Sequence, residues 1–320
     1  MIFVSSPAYR GGGFLDFVKY IERNKMADYY IENEQLKAGI NIHGAELVSL
    51  VRKSDAREYM WTGDKKYWGR VSPVLFPFVG ALNEKKYSYN GEEYTGIPQH
   101  GFARDNDFYV AERFPEKIWF ELKSNDETRA MYPFEFILRL GYALEGNKLH
   151  VMWTVVNTDN KEIYFSIGAH PAFICGGLDD TTDPKKGHRL NLNLPVSDFT
   201  VGRINSEGLK VSAPETVPAP DGVLTINEGF FDKGVFIFDS KDIHTVSIEA
   251  PSGKSYLKVN FDAPQLGIWA PKGNAPFVCI EPWFGRCDAD DYVGTLKDRE
   301  YSNSLMPGHS FNKEYVVEIV

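Results

Sequence analysis

Glu281 stands alone in a run of otherwise uncharged residues, Phe277-Val-Cys-Ile-Glu-Pro-Trp-Phe-Gly285. Burying a lone carboxylate is costly, so the position needs a reason. Desolvation would raise its pKa and make the ionised form a stronger base. The competing reading is a structural carboxylate bonded to backbone amides or to Arg286; the isolation of the charge favours a functional one. His170, in Phe165-Ser-Ile-Gly-Ala-His-Pro-Ala-Phe173, is held extended by the following proline and has small, apolar neighbours. A partly buried imidazole of this kind suits an acid or a base, and equally a satisfied core histidine.

Two further segments carry candidate ligand contacts. Arg70 is the lone charge in Trp68-Gly-Arg-Val-Ser-Pro-Val-Leu-Phe-Pro-Phe-Val-Gly80. Its fork of donors can grip hydroxyls or a carboxylate, although composition alone favours a structural ion pair. His100 lies in Pro98-Gln-His-Gly-Phe-Ala-Arg104, at a loop or strand end, where Gly101 permits close backbone approach to a ligand. Arg104 reads as a structural hydrogen-bonder. Cys279 reads as a buried small hydrophobe. No GxGxxG, Walker loop or GxSxG occurs, and His43, His188, His244 and His309 lack ligand-spaced partners. Neither a cofactor nor a metal is therefore expected.

The elements that must position these groups are strands. Phe134, Phe136, Leu138, Leu140 and Tyr142 alternate mostly with polar or small residues, Glu135, Arg139 and Gly141. After the turn at 145–147, Leu149, Val151, Trp153 and Val155 do the same, which predicts a hairpin with one buried face. Thr245–Ala250 and Tyr256–Phe261 flank Pro-Ser-Gly as a second hairpin, and Asn90-Gly91 marks a third within 87–94. The Pro-rich stretch 211–222 reads as a surface loop. Residues 1–25 read as an N-terminal extension, helical at Phe14–Asn24 or disordered, and 26–320 as a single β-sandwich domain.

The 320 residues carry 43% hydrophobic and 25% charged content, which excludes a mainly disordered chain. A formal charge of −9 without a Lys/Arg cluster argues against a nucleic-acid partner. No apolar run approaches the ~20 residues that span a bilayer. Charges interrupt the N-terminus, so no signal peptide is expected. Three cysteines without a CxxC pair fit free thiols in a reducing, cytoplasmic setting. Aromatic residues make up 14%, a surplus that suits sugar faces packing on rings.

These segments, in this order, resemble the galactose mutarotase-like (aldose 1-epimerase) family, and its LacX-like branch in particular. The resemblance runs from about Tyr29 to Val320. It rests on Asn41-Ile-His-Gly-Ala-Glu-Leu47, Arg57-Glu-Tyr-Met-Trp-Thr-Gly-Asp64, Arg70 with Ser72-Pro-Val-Leu-Phe-Pro77, His100-Gly-Phe-Ala-Arg104, His170-Pro171 and Glu281-Pro-Trp283. It implies an all-β supersandwich of stacked antiparallel sheets with an open sugar cleft and no cofactor. It implies that Glu281 takes the anomeric proton, that His170 protonates the ring oxygen, and that Arg70 and His100 hold the sugar. Asp232, in Gly-Phe-Phe-Asp, matches the family's sugar-binding aspartate. Many relatives carry Arg after the glycine that ends the Phe-Pro motif, where this chain has Ala81. The partner so implied is a small-molecule sugar, taken up by a monomer or homodimer. Two other functions fit the scaffold. A non-catalytic carbohydrate sensor would need neither Glu281 nor His170, and a glycoside hydrolase would need a second carboxylate.

Overall fold

A computed structural model describes residues 27–176 and 184–320. The expectation for residues 1–25 lies outside the described residues. The sheets are antiparallel throughout. Nine strands run in the order Val223–Thr225, Arg189–Asn191, Thr245–Glu249, Ser255–Phe261, Ser310–Ile319, Lys148–Asn157, Phe136–Glu145, Lys117–Lys123 and Tyr109–Phe114. A second large sheet runs Glu215–Pro218, Asp198–Gly202, Phe236–Asp239, Gln265–Trp269, Phe277–Phe284, Ile167–Ala169 and Val74–Leu75, with Ala172–Ile174 also paired to Phe277–Phe284. A four-stranded sheet over Tyr29–Glu58 adds to the same hydrophobic core. This is the all-β stacked-sheet architecture expected from the sequence.

The alternating residues do what their period requires. Phe136, Leu138, Leu140 and Tyr142 are buried, as are Leu149, Val151, Trp153 and Val155 on the paired strand. Their rings close the gap between the large sheets. Trp153 packs on Tyr315 and Phe284, and Phe284 on Phe311, with ring centroids 5.3–6.1 Å apart. Asn90 and Gly91 both take positive φ, the geometry that a two-residue hairpin turn needs. The Pro-rich stretch 211–222 differs from expectation. It supplies Glu215–Pro218, the edge strand of the second sheet, where a proline costs no interior ladder bond.

The strand that carries Glu281 is buried along its whole length, which is why its sequence shows no alternation. Its side chains nevertheless divide between two faces. Val278, Ile280 and Phe284 join the main core. Phe277 and Cys279 pack with Trp61 and Ala172 on the other face, and Trp283 packs with Leu75 and Val79. By the period of two, Glu281 shares this second face, away from the main core.

Candidate active site

The pairing of this strand decides what Glu281 meets. Ile167 and Gly168 pair with Phe284 and Trp283, and Ala172 and Phe173 pair with Cys279 and Val278. The register is therefore unbroken across the short interruption that Pro171 imposes, and it puts His170 opposite Glu281. Side chains directly opposite in an antiparallel pair are near neighbours. His170 Nε2 lies 3.3 Å from Glu281 Oε2, with the two side chains 11% and 1% exposed. The backbone N–H of His170 donates to the Pro73 carbonyl at 3.1 Å, which ties the histidine to the Arg70 segment.

Tryptophans fix both partners. The His170 ring stacks on Trp68 at 4.7 Å and meets Trp269 edge-on at 5.5 Å. Trp61 Nε1 donates to the Trp68 carbonyl, and Glu46 accepts the N–H groups of Val71 and Ser72, so the loop bearing Trp68 and Arg70 is pinned from beneath. Beside Glu281, the Trp283 indole lies flat across the two flanking strands. They carry glycine where it crosses them: a Cβ on Gly267 would sit 2.4 Å from the indole, and one on Gly168 would sit 2.6 Å away.

His100 approaches from the neighbouring loop, at φ 68°, and its ring is 5.7 Å from that of His170. Its Nδ1 accepts the Gly80 N–H at 3.0 Å, so in the neutral ring the proton sits on Nε2, a donor. The sequence reading gave Gly101 a role in ligand approach, and the structure gives it another. A Cβ there would fall 2.1 Å from the Phe76 carbonyl oxygen, so the glycine lets this loop dock on the Phe76–Gly80 loop. Arg70 donates through Nη2 to Asp105 at 2.6 Å, the ion pair that composition favoured, and also lines the cavity. Arg104 donates to the Gln99 carbonyl and likewise faces the cavity.

These groups enclose a cavity of about 410 Å³, of the size that small-molecule sites take. Glu281, His170, Arg70 and His100 all line it. Asp232 does not: it lines a separate hollow with Asn227 and Phe231. The loose motif around Asp232 thus led to a residue that the fold places outside the cavity. Trp68, Trp269, Gln99 and Arg104 also line the cavity, a placement not foreseen from the sequence. Its one signal for the tryptophans was the aromatic surplus.

Burial dominates the electrostatics. It pushes the Glu281 carboxyl well above the usual carboxylate range, against a smaller downward pull from the Trp283 indole N–H. It drives the His170 imidazole down to about 3, with the charges of Arg104 and Arg70 pushing the same way. His100 is held well below its ordinary value, first by burial and then by His170 and the two arginines. Arg104 is lowered to about 10 by burial and by the Arg70 charge. Burial thus biases the pair towards a protonated carboxyl and a neutral imidazole.

The model of one protein family, aldose 1-epimerase, matches residues 28–288. Protein LacX of Lactococcus lactis, in its plasmid and chromosomal forms, is 27% identical over 298 residues, covering 91% of this chain and 98% of the relative. A galactose mutarotase related enzyme from Lactobacillus acidophilus is 32% identical, with a TM-score of 0.85, over 91% of this chain and 97% of that one. A galactose mutarotase-like protein from Lactobacillus casei is also 32% identical, with a TM-score of 0.82, over 91% and 99%. The match covers every segment that lines the cavity, and on that ground the chain belongs to the aldose 1-epimerase family, in its LacX-like branch.

Proposed function

We propose that the protein interconverts the α and β anomers of an aldohexose or a related sugar, with Glu281 as the base and His170 as the acid. The observation that carries this reading is the 3.3 Å approach of His170 Nε2 to Glu281 Oε2 at the floor of a tryptophan-walled cavity. Anomerisation needs one proton removed and one delivered on two oxygens of a single hemiacetal carbon, and a carboxylate beside an imidazolium supplies both. Glu281 accepts the proton of the anomeric hydroxyl while His170 donates to the ring oxygen. The bond from C1 to the ring oxygen then breaks, leaving the open-chain aldehyde. Rotation about C1–C2 and the reverse transfers close the ring on its other face and restore both groups.

The reactive form is the ion pair, which has the same proton count as the neutral pair favoured in the empty site. The hydroxyls of a bound sugar can hydrogen-bond to both charged groups and so favour separated charge in this low-dielectric pocket. The Trp68, Trp269 and Trp283 rings offer surfaces for pyranose C–H faces, and His100 Nε2–H, Arg70 and Arg104 offer donors to hydroxyls. Ala81, where many relatives carry arginine, removes one cation from the neighbourhood of Gly80.

The test is anomer exchange, by polarimetry or NMR, across glucose, galactose and phosphorylated hexoses. Glu281→Gln removes the base and keeps the size. A loss of about 10²–10⁴-fold is expected, the worth of one positioned proton transfer. Full activity in that variant would overturn the assignment. Saturable sugar binding with no acceleration in the unaltered protein would make it a carbohydrate-binding protein instead.

A further inference from the structure

A third ligating group stands beside the pair. Cys279 is two residues before Glu281 on the same strand, hence on the same face, and its paired residue Ala172 is two residues beyond His170. A ring nitrogen of His170, the Cys279 Sγ and a carboxylate oxygen of Glu281 all lie within 4.8 Å of one another, and all three residues are buried. No spacing signal in the sequence marks such a set, because the histidine reaches it only through strand pairing.

Several features suit a cation. Tetrahedral zinc sites hold N, S and O ligands at about 2.0–2.3 Å, which sets ligand-to-ligand separations of about 3.3–3.8 Å. The nitrogen–oxygen pair is already at 3.3 Å. The other atoms need to close by about 1 Å at most to reach those separations. Glu281 Oε2 and His170 Nδ1 are buried with no hydrogen-bond partner, so one oxygen of the carboxyl and one ring nitrogen are unsatisfied. His170 and Glu281 face the cavity, which supplies an entry path and room for a fourth ligand, while the thiol lies buried beside them.

We propose that His170, Cys279 and Glu281 form a three-ligand site for a thiophilic divalent cation of the Zn²⁺ class, which shuts the cavity to its sugar. The cation exchanges with the thiol proton and with any proton on the carboxyl, and these leave to solvent. It occupies the same nitrogen and oxygen that move protons in the proposed reaction, so metal and sugar exclude each other. Inhibition rests on the epimerase reading, but binding does not.

Cobalt separates the two. Reduced, chelator-treated protein is titrated with Co²⁺, and one equivalent is expected to raise a near-ultraviolet thiolate-to-cobalt absorption that Zn²⁺ abolishes. Cys279→Ala should lose that band, whereas Cys175→Ala should keep it. Cys279→Ser, closer in size, repeats the test should the alanine variant fail to fold. In parallel, Zn²⁺ should inhibit anomer exchange, with the half-inhibitory concentration at least about tenfold higher in Cys279→Ala, as loss of a metal ligand requires. Absence of a band in the unaltered protein, or a band or zinc sensitivity unchanged by removing Cys279, overturns the proposal. A Cys279-dependent band in a protein without exchange activity keeps the metal site and overturns the epimerase reading alone.

Discussion

Replacing Glu281 by glutamine should change how stability depends on pH, in a direction that the buried pair dictates. In the folded chain one proton is shared between Glu281, whose pKa burial raises, and His170, whose pKa burial lowers. In the unfolded chain the two titrate near about 4.3 and about 6.5. Between those values the unfolded pair also holds one proton, so the pair adds no slope. Above about pH 6.5 the unfolded pair holds none while the folded pair keeps one, so stability falls as pH rises, by about 1.4 kcal/mol per pH unit. This continues until the folded carboxyl ionises. Below about pH 4.3 the unfolded pair holds two protons, so stability falls as pH drops. In Glu281→Gln the alkaline branch disappears, leaving only the loss below about pH 6.5 that the neutral His170 imposes. Above about pH 6.5 the variant should therefore gain on the unaltered protein as pH rises, for as long as the folded carboxyl keeps its proton. Urea denaturation of both proteins across that range reads the difference directly, since all other titrating groups are common to both. A difference that stays constant with pH would refute the protonated carboxyl, and with it the account of the empty site.

Two other substitutions probe how the site is held. Gly267→Ala places a methyl 2.4 Å from the Trp283 indole; overpacking of this kind should cost about 1–3 kcal/mol in denaturant melts and lower kcat/KM as the indole, which lines the cavity, is displaced. His100→Asn tolerates the left-handed backbone but removes the Nε2–H donor, so KM should rise with little change in stability; an unchanged KM would release His100 from sugar binding.

The sequence showed the strands and one half of the pair, for different physical reasons. Alternation at 134–142 and 149–155 is a local signal, because one face of each strand is buried and the other is not. Glu281 was legible by contrast, as a charge in an apolar run, since a strand buried on both faces tolerates few charges without a purpose. His170 was not resolvable alone. Its neighbours fitted a core histidine equally well, and its meeting with Glu281 depends on a register set between distant parts of the chain. Arg104 read as structural because its bond to the Gln99 carbonyl is local, whereas its exposure to the cavity comes from the docking of one loop on another. Asp232 shows the converse: it lines a different hollow from Glu281, and a short motif match carries no information about which hollow a loop faces.

The proline after His170 shows how closely the site is bound to the sheet. His170 and Pro171 separate two short strands, Ile167–Ala169 and Ala172–Ile174, that pair with the same long strand in one register. A proline inside that pairing removes a ladder donor, yet it occurs where the neighbouring backbone is already committed elsewhere, with the His170 N–H on Pro73 and the Ala172 N–H on Val71. The break therefore fastens the strand to the loop carrying Trp68 and Arg70 without shifting its register. An insertion or deletion of one residue between Ala169 and Ala172 would turn the imidazole to the opposite face of the sheet, because the side-chain period is two. His170 and Glu281 are thus held opposite each other by strand register.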